Sequence, residues 1–433
     1  MLGYFLMCLS CGGVPDIAEM LRSQEQGILA IALDPIRVGT PREHIDFQLW
    51  SPLALDARVV VESQDGVRNA VIGSLRQWRG ALDGGCVVLT VDNSHVRGFT
   101  LRGGVLRPVR LEGSHLIEDS EVQLQELRQP CSGLAAPKPP MRAVGSDRSN
   151  RSQCESLRVA FDTDWEFTND LFGGDADDAA AYIIELSGAI SVIQEAELGL
   201  PLEVTYVRTW SDAADPYDPS EPTDDLLDQF RIEWEANEPE SDRHVAHLLS
   251  GSSQPDSAGL AWRGSACSAW GYAYSSSMNG FFVDPPPNHS WSTWDVIIVA
   301  HETGHTIGAR HTHEMVPPVD GCGNGDCSSA WGGTIMSYCH TCPPSYMSNT
   351  VLEFHPRVEI DIDTFLSQVN PAVCDLGLPH STDVDGSGSV DAIDLGRVVA
   401  QFGLCVGCDC SEDVNGSGGV DVLDLLQVLQ DWG

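Results

Sequence analysis

Eleven residues constrain this chain more than any others: His301-Glu302-Thr303-Gly304-His305-Thr306-Ile307-Gly308-Ala309-Arg310-His311. Ser292 and Asp295, in Ser-Thr-Trp-Asp, form a capping-box pattern that predicts a helix starting there and running through Ile307. On such a helix His301 and His305 lie four apart and project from one face, where both imidazoles reach one ion. Glu302 lies too far round to be a good ligand but can reach a metal-held water. Gly308 is expected to stop the helix in a left-handed conformation that other residues adopt only with strain. The turn then returns His311 as a third nitrogen ligand. Three histidines leave a fourth position open, as a catalytic zinc site requires.

With these residues the sequence resembles the metzincin metallopeptidases, whose signature HExxHxxGxxH is followed by a methionine turn. The second half is Thr334-Ile335-Met336-Ser337-Tyr338. The resemblance implies one catalytic Zn2+ on His301, His305 and His311, with Glu302 as general base and Met336 as a packing floor beneath the histidines. It also implies a twisted five-stranded sheet with an active-site helix, and a cleft where a peptide lies antiparallel to an edge strand. Gly259–Trp262 is the candidate edge. The strand GLAWRGSACS and the TIMSYC turn resemble the reprolysin (adamalysin-like) branch, whereas Met-x-Tyr resembles astacins and serralysins. Tyr338 therefore has two readings, a displaceable ligand or transition-state donor, or an ordinary buried tyrosine. His313 is out of register and reads as a surface histidine.

Fourteen cysteines fit an oxidising compartment, and the chain is expected to be secreted or cell-surface. Residues 1–12 read as a signal remnant, with Cys11 as an alternative lipid-attachment site. Cys322, Cys327, Cys339 and Cys342 can form two local bridges in any of three pairings, or hold a second, structural zinc. The reprolysin branch implies a bridge between Cys267 and Cys374. It also implies a propeptide, in which Cys131 is the candidate latency switch on the zinc; a disulfide to Cys86 or Cys154 is the alternative.

Charge marks the boundaries. Val14–Cys131 carries a net −4 and Cys154–Ser250 a net −20, separated by the polar, proline-bearing stretch 132–153, which reads as a cleavable linker. Before it, ARVVVES, GGCVVLTVD, VRGFTLRG and VLRPVRLEG predict an all-β domain over 13–131. After it, LRVAFDTD, LEVTYVRTW and HVAHLLSG read as strands, and 177–197 as a helix with Ile183, Ile184, Ile190 and Ile193 on one side; the catalytic domain spans 154–376. The fold class is α+β, multidomain. With 24 Lys+Arg against 63 Asp+Glu, the surface repels polyanions, so nucleic acid is not an expected partner. No apolar run is long enough for a spanning helix.

Residues 381–433 contain a repeat: 383–403 and 413–433 share 11 of 21 positions. Oxygen-bearing side chains recur at Asp383, Asp385, Ser387, Asp391, Asp394 and at Asp413, Asn415, Ser417, Asp421, Asp424, with Ser389 and Gly419 offering carbonyls. Gly388 and Gly418 allow the sharp turn. This spacing predicts two Ca2+ sites. Each loop is followed but not preceded by a helix, which resembles type I dockerin modules and implies a cohesin-like or cell-surface partner. Ile393, Leu395, Val399 and Phe402 are expected to pack against Leu423, Leu425, Leu429 and Trp432.

Together these features predict a secreted zinc endopeptidase acting on proteins or peptides, with a calcium-stabilised tail. The alternatives are a non-catalytic calcium-dependent surface or scaffold protein with a degenerate zincin domain, and a metallohydrolase acting on non-peptide amides.

Overall fold

The structure, a computed structural model, describes residues 28–118 except 36–42, 73–74, 83–84, 92–95, 103–104 and 113–114. It describes 156–369 except 239–240, 254–256, 283–292 and 344–348, then 382, 384, 390–404, 414, 419–420, 422–430 and 432. Residues 1–12, Cys131 and the linker 132–153 lie outside the described residues. The chain forms two compact units, residues 1–51 with 73–129, and residues 52–72 with 130–433.

In the first unit, β1 (Ile28–Pro35) and β2 (Glu43–Trp50) precede an excursion of the chain through β3 (Leu53–Ser63) and β4 (Gly66–Asn69). The chain then continues through β5 (Arg76–Leu82), β6 (Gly85–Val91), β7 (Val96–Arg102), β8 (Val105–Glu112) and β9 (His115–Glu118). Strands β1-β2-β5-β6-β7-β8-β9 close into a barrel, with β1 and β9 paired in parallel. Every residue from 87 to 91 of β6 is buried, Val87, Leu89 and Val91 on one face and Val88 and Thr90 on the other, together with Phe47, Trp78 and Phe99.

The second unit is built on a mixed sheet. Its further strands are β10 (Leu157–Thr163), β11 (Leu202–Trp210), β12 (Val245–Leu249), β13 (Gly259–Ala261) and β14 (Tyr272–Ser275). The order is β13-β14-β12-β10-β11-β3-β4, parallel except where β13 pairs with β14 and β4 with β3. The expected five strands are therefore corrected to seven. The two extra strands come from 53–69, a stretch expected to remain with the N-terminal β domain. The centre of β3 is Arg58-Val59-Val60-Val61-Glu62. Val60 and Val61 are neighbours on opposite faces, yet both are buried, so this strand is covered on both sides. Val87 and Val88 of the barrel strand β6 are buried neighbours as well, so it is the pairing with β11 that assigns this strand to its sheet.

Helix α1 (Ala176–Leu198) follows the first strand of this sheet after the linker. The Asp175 side chain caps it by accepting from the amides of Asp177 and Asp178, and Gly199 ends it at φ 65°. Helix α2 (Thr223–Asn237) packs Phe230 and Trp234 into a cluster with Tyr206, Tyr217, Tyr272 and Val60. Helix α3 (Trp294–Thr306) is buried along its whole length. Ser292 lies outside the described residues, and the N-cap residue of the helix is Thr293. Asp295 accepts from Tyr182 Oη (2.6 Å) and from the amides of Asn279 and Gly280. Three donors satisfy this buried carboxylate.

Helix α4 (Pro356–Gln368) precedes the C-terminal repeats, which contain α5 (Ala392–Ala400) and α6 (Val422–Gln430). Their core holds Val384, Val390, Leu395 and Val398 from the first repeat, and Val414, Val420, Leu425 and Val428 from the second. These are the same four positions thirty residues apart, so the two copies pack as equivalents. The expected packing set is corrected accordingly. Leu395 and Leu425 are in the core, whereas Ile393, Val399, Phe402, Leu429 and Trp432 are exposed. The side chain of Leu423 lies outside the described residues. The loops supply valines at both ends, so each short helix needs to bury only its i, i+3 pair.

Candidate metal centre

Helix α3 carries His301 and His305 on adjoining turns. His301 Nδ1 donates to the Ile335 carbonyl (2.7 Å) and His305 Nδ1 to the Ala309 carbonyl (2.8 Å). A carbonyl only accepts, so each Nδ1 bears the proton and each Nε2 presents a lone pair. His311 Nδ1 faces the Glu314 carboxylate at 3.2 Å, which leaves its Nε2 bare in the same way. The Nε2 atoms of His305 and His311 lie 3.0 Å apart, and one nitrogen from each of the three histidines falls within 4.8 Å of the others. Tetrahedral zinc with bonds of 2.0–2.1 Å separates its ligands by about 3.3 Å. Lone pairs so arranged repel one another unless a cation lies between them, so this donor set fits zinc.

Electrostatics favour the same occupant. Burial, followed by the neighbouring His305 and His311, pushes His301 well below the ordinary histidine value. Burial and then His311 push His305 down to about 4, and burial lowers His311 as well. All three are therefore neutral imidazoles at physiological pH, the form that ligates metal.

Glu302 lies beside them, 4% exposed, and its Oε2 has no hydrogen-bond partner among the described residues. Burial pushes its carboxyl well above the usual range. The carboxyl packs against Gly259 on β13: a Cβ there would lie 2.7 Å from Glu302 Cδ. The edge strand and the carboxylate are thus immediate neighbours. Strand β13 has only β14 as a sheet partner among the described residues.

The helix ends where Gly308 takes φ +103°, and a Cβ there would also meet the Phe365 side chain at 2.7 Å. This turn carries the chain back to His311. Met336 is fully buried, and its Sδ would touch a Cβ on Gly304 at 3.0 Å, which places the thioether under the helix between the two histidines. Its carbonyl accepts from the Thr312 amide (3.1 Å), tying the methionine turn to the segment that follows His311. Two disulfides, Cys322–Cys339 and Cys327–Cys342, brace this turn. They close spans of 17 and 15 residues, worth about 3 kcal/mol each on chain-entropy grounds. With all four thiols in disulfides, no structural zinc site remains there. Cys267 is also disulfide-bonded, while its expected partner Cys374 lies outside the described residues.

Tyr338 lies over the histidines, with ring centroids 4.6 Å from His311 and 6.1 Å from His301. Burial first, then Glu302 and Glu314, raises its phenol above the ordinary value. His313 is corrected from a surface histidine. It is half-buried, stacks on His311 at 5.1 Å and lies against Gly323, which has no side chain to displace it. Sequence reading missed three supports, Glu314 on His311, His313 on His311, and His247, whose Nδ1 meets Thr303 Oγ1 at 3.3 Å. Acidic and histidine residues three and two positions after His311 were the available signal.

Of the calcium candidates, Asp383, Asp385, Ser387, Ser389, Asp413, Asn415, Ser417 and Asp421 lie outside the described residues. Asp391 caps α5, accepting from the Ile393 amide, and Asp394 accepts from the Asp391 amide in a completed capping box. Asp394 and Asp424, equivalent in the two copies, are fully buried. Gly419 begins a two-residue strand that pairs with 403–404. No helix among the described residues is long and apolar enough to cross a membrane.

No curated protein matches the chain. Among solved structures, metalloproteinase-II from Bacteroides fragilis matches at 13% identity over 81% of this chain and 94% of that one, with a TM-score of 0.38. The part of the chain that holds the sheet from β10 onward, α3 and the three histidines matches the Reprolysin_5 model, metallo-peptidase family M12, over residues 153–350.

Proposed function

We propose that the chain is a secreted zinc-dependent endopeptidase in which His301, His305 and His311 hold the metal and Glu302 is the general base. The observation that carries this reading is the convergence of one nitrogen from each of His301, His305 and His311 beside the buried Glu302, whose Oε2 has no hydrogen-bond partner among the described residues. When bound, zinc supplies Lewis-acid polarisation of the scissile carbonyl and acidifies water. Glu302 accepts a proton from the attacking water and returns it to the departing amine. Its burial suits both roles, because a carboxylate in a dry site holds a proton readily. Tyr338, within reach of the same space, donates a hydrogen bond to the developing oxyanion. A peptide substrate adds itself antiparallel to the open edge of β13. The match of residues 153–350 to the family M12 model supports the peptidase reading, and two disulfides in the same domain support an oxidising compartment.

The C-terminal repeats bind two Ca2+ ions, supported by the agreement of two oxygen-rich loops and by the buried Asp394 and Asp424. The exposed Ile393, Val399, Phe402, Leu426 and Trp432 on and beside α5 and α6 favour a docking role toward a cohesin-like or cell-surface partner.

Substituting Glu302→Gln tests the catalytic reading. The variant retains zinc and loses peptide hydrolysis by at least about a thousandfold. Wild-type turnover by that variant would refute the assignment.

A further inference from the structure

The strand β3 is flanked in sequence on both sides by the barrel, yet it lies in the sheet that carries the metal-site helix. Strands β2 and β5 pair with each other, Phe47 with Gly80 through Trp50 with Gln77, and the chain between them leaves to join the other sheet. We propose that residues 52–72 are a permanent strand pair of the metallopeptidase domain, so that cutting the chain within 132–153 yields two polypeptides that stay together. The N-terminal segment is then a retained subunit and not a detachable propeptide.

The pairing is extensive. Strand β3 runs parallel to β11, with Leu53 opposite Val204 and Arg58–Glu62 opposite Tyr206–Trp210. The Pro52 carbonyl accepts from the Val204 amide (2.6 Å), and the Glu62 carbonyl accepts from both the Ser211 amide (2.9 Å) and Oγ (3.1 Å). Side chains follow the backbone. Val60 joins the cluster of Tyr206, Phe230 and Trp234, and Val61 is 1% exposed. Removing this strand would open both an apolar face and an unpaired sheet edge.

A buried charge ties the strand further. Arg208, on β11 and 1% exposed, donates to Asp162 (2.6 Å) and to Glu62 of β3 (3.2 Å), with Glu233 at 3.6 Å. Asp162 also accepts from Tyr217 Oη and Trp234 Nε1. Without Glu62 the guanidinium would lose a neutralising partner at the place where the missing strand admits water. Beyond the strand, Arg68 makes a two-pronged contact with Asp177 at the start of α1 (2.8 and 2.9 Å), where the Val71 amide also donates (2.7 Å). Asp212 accepts from the Gln64 amide at the β3–β4 turn (3.0 Å). The hairpin is thus held along its length and at both ends, and the barrel is covalently attached to each end of it.

The test uses the full chain with Glu302→Gln, and intact mass measured before the cut verifies that no self-digestion has occurred, so the result does not depend on the catalytic reading. A recognition sequence for a specific protease is placed within 132–153, and the protein is cut to completion. The two pieces are expected to co-elute as one species under native conditions and to part only in denaturant. Adding Val61→Asp is expected to release the N-terminal piece from the cut protein, whereas Val67→Asp, at a position 57% exposed on β4, leaves the pieces together. Separation of the unmutated pieces, with the 154–433 fragment keeping its melting temperature, would overturn the proposal. Retention unaffected by Val61→Asp would overturn the assignment to this strand.

Discussion

Gly259 on the edge strand and Glu302 on the metal-site helix occupy a space that admits only one side chain. The three nearest heavy atoms to a Cβ at Gly259 all belong to Glu302, with Cδ at 2.7 Å and Cγ at 2.8 Å. Gly259→Ala is therefore expected to push the carboxyl aside without disturbing the metal. Steady-state kinetics on a peptide should show kcat lowered about tenfold or more, since misplacement by an ångström costs that much or more. Zinc content should be unchanged. Undiminished kcat would mean that the carboxyl does not work from this position.

Met336 is expected to stabilise the site from below without touching the chemistry. Met336→Ala should cost about 2–5 kcal/mol by leaving a cavity under Gly304, read as a lower denaturation midpoint. Zinc affinity should weaken as His301 loses its registration with the Ile335 carbonyl. A variant of full stability would show that the thioether is not packed there.

His247 connects β12 to the metal-site helix and should make the fold acid-sensitive. Burial pushes it down to about 3, where it stacks on Phe161 and its Nε2 meets Ser275 Oγ at 2.9 Å. Above about 6.5 it is neutral in both folded and unfolded chains. Below that pH the unfolded chain takes up a proton that the folded chain refuses, so stability falls as pH drops from about 6.5 toward 3, at up to about 1.4 kcal/mol per pH unit. Asp164 and Asp295, raised by burial to about 7 and about 6, act in the opposite sense over an overlapping range. Comparison with His247→Gln isolates the histidine, and the variant should show the shallower loss of stability on acidification. Equal acid slopes would contradict this.

The tail should depend on calcium. Each repeat crowds carboxylates around a loop and buries one of them, Asp394 or Asp424, over a small valine core. Chelation by EGTA is expected to melt residues 381–433 and reduce helical circular dichroism, with recovery on adding Ca2+. An unchanged signal would remove the calcium assignment.

The fixed spacing of His301, Glu302, His305, Gly308 and His311 made the site legible, because a helix and one left-handed turn are enough to bring those groups together. The edge strand at 259–261 was legible for a similar reason, as a short apolar run closed by glycine. The β3 strand was not, because local pattern reports that a segment is extended but not which sheet it joins. Its adjacent valines do not decide this, because Val87 and Val88 of the barrel strand β6 are neighbours that are both buried too. His313 was misplaced because its burial depends on Gly323, which approaches through a disulfide-braced loop. The partners of Asp295, Tyr182 and the 279–280 backbone, were not legible because they are distant in sequence. In the tail the offset of thirty identified equivalent positions, but helix periodicity alone favoured Phe402 and Trp432 over the loop valines that fill the core.

The central claim, three imidazoles gathering one metal, is tested most directly by elemental mass spectrometry of the full chain purified without added metal. The account predicts one zinc per chain, retained in Glu302→Gln and lost in His305→Ala. Absence of stoichiometric zinc in an active preparation, or full zinc retention after His305→Ala, would contradict it.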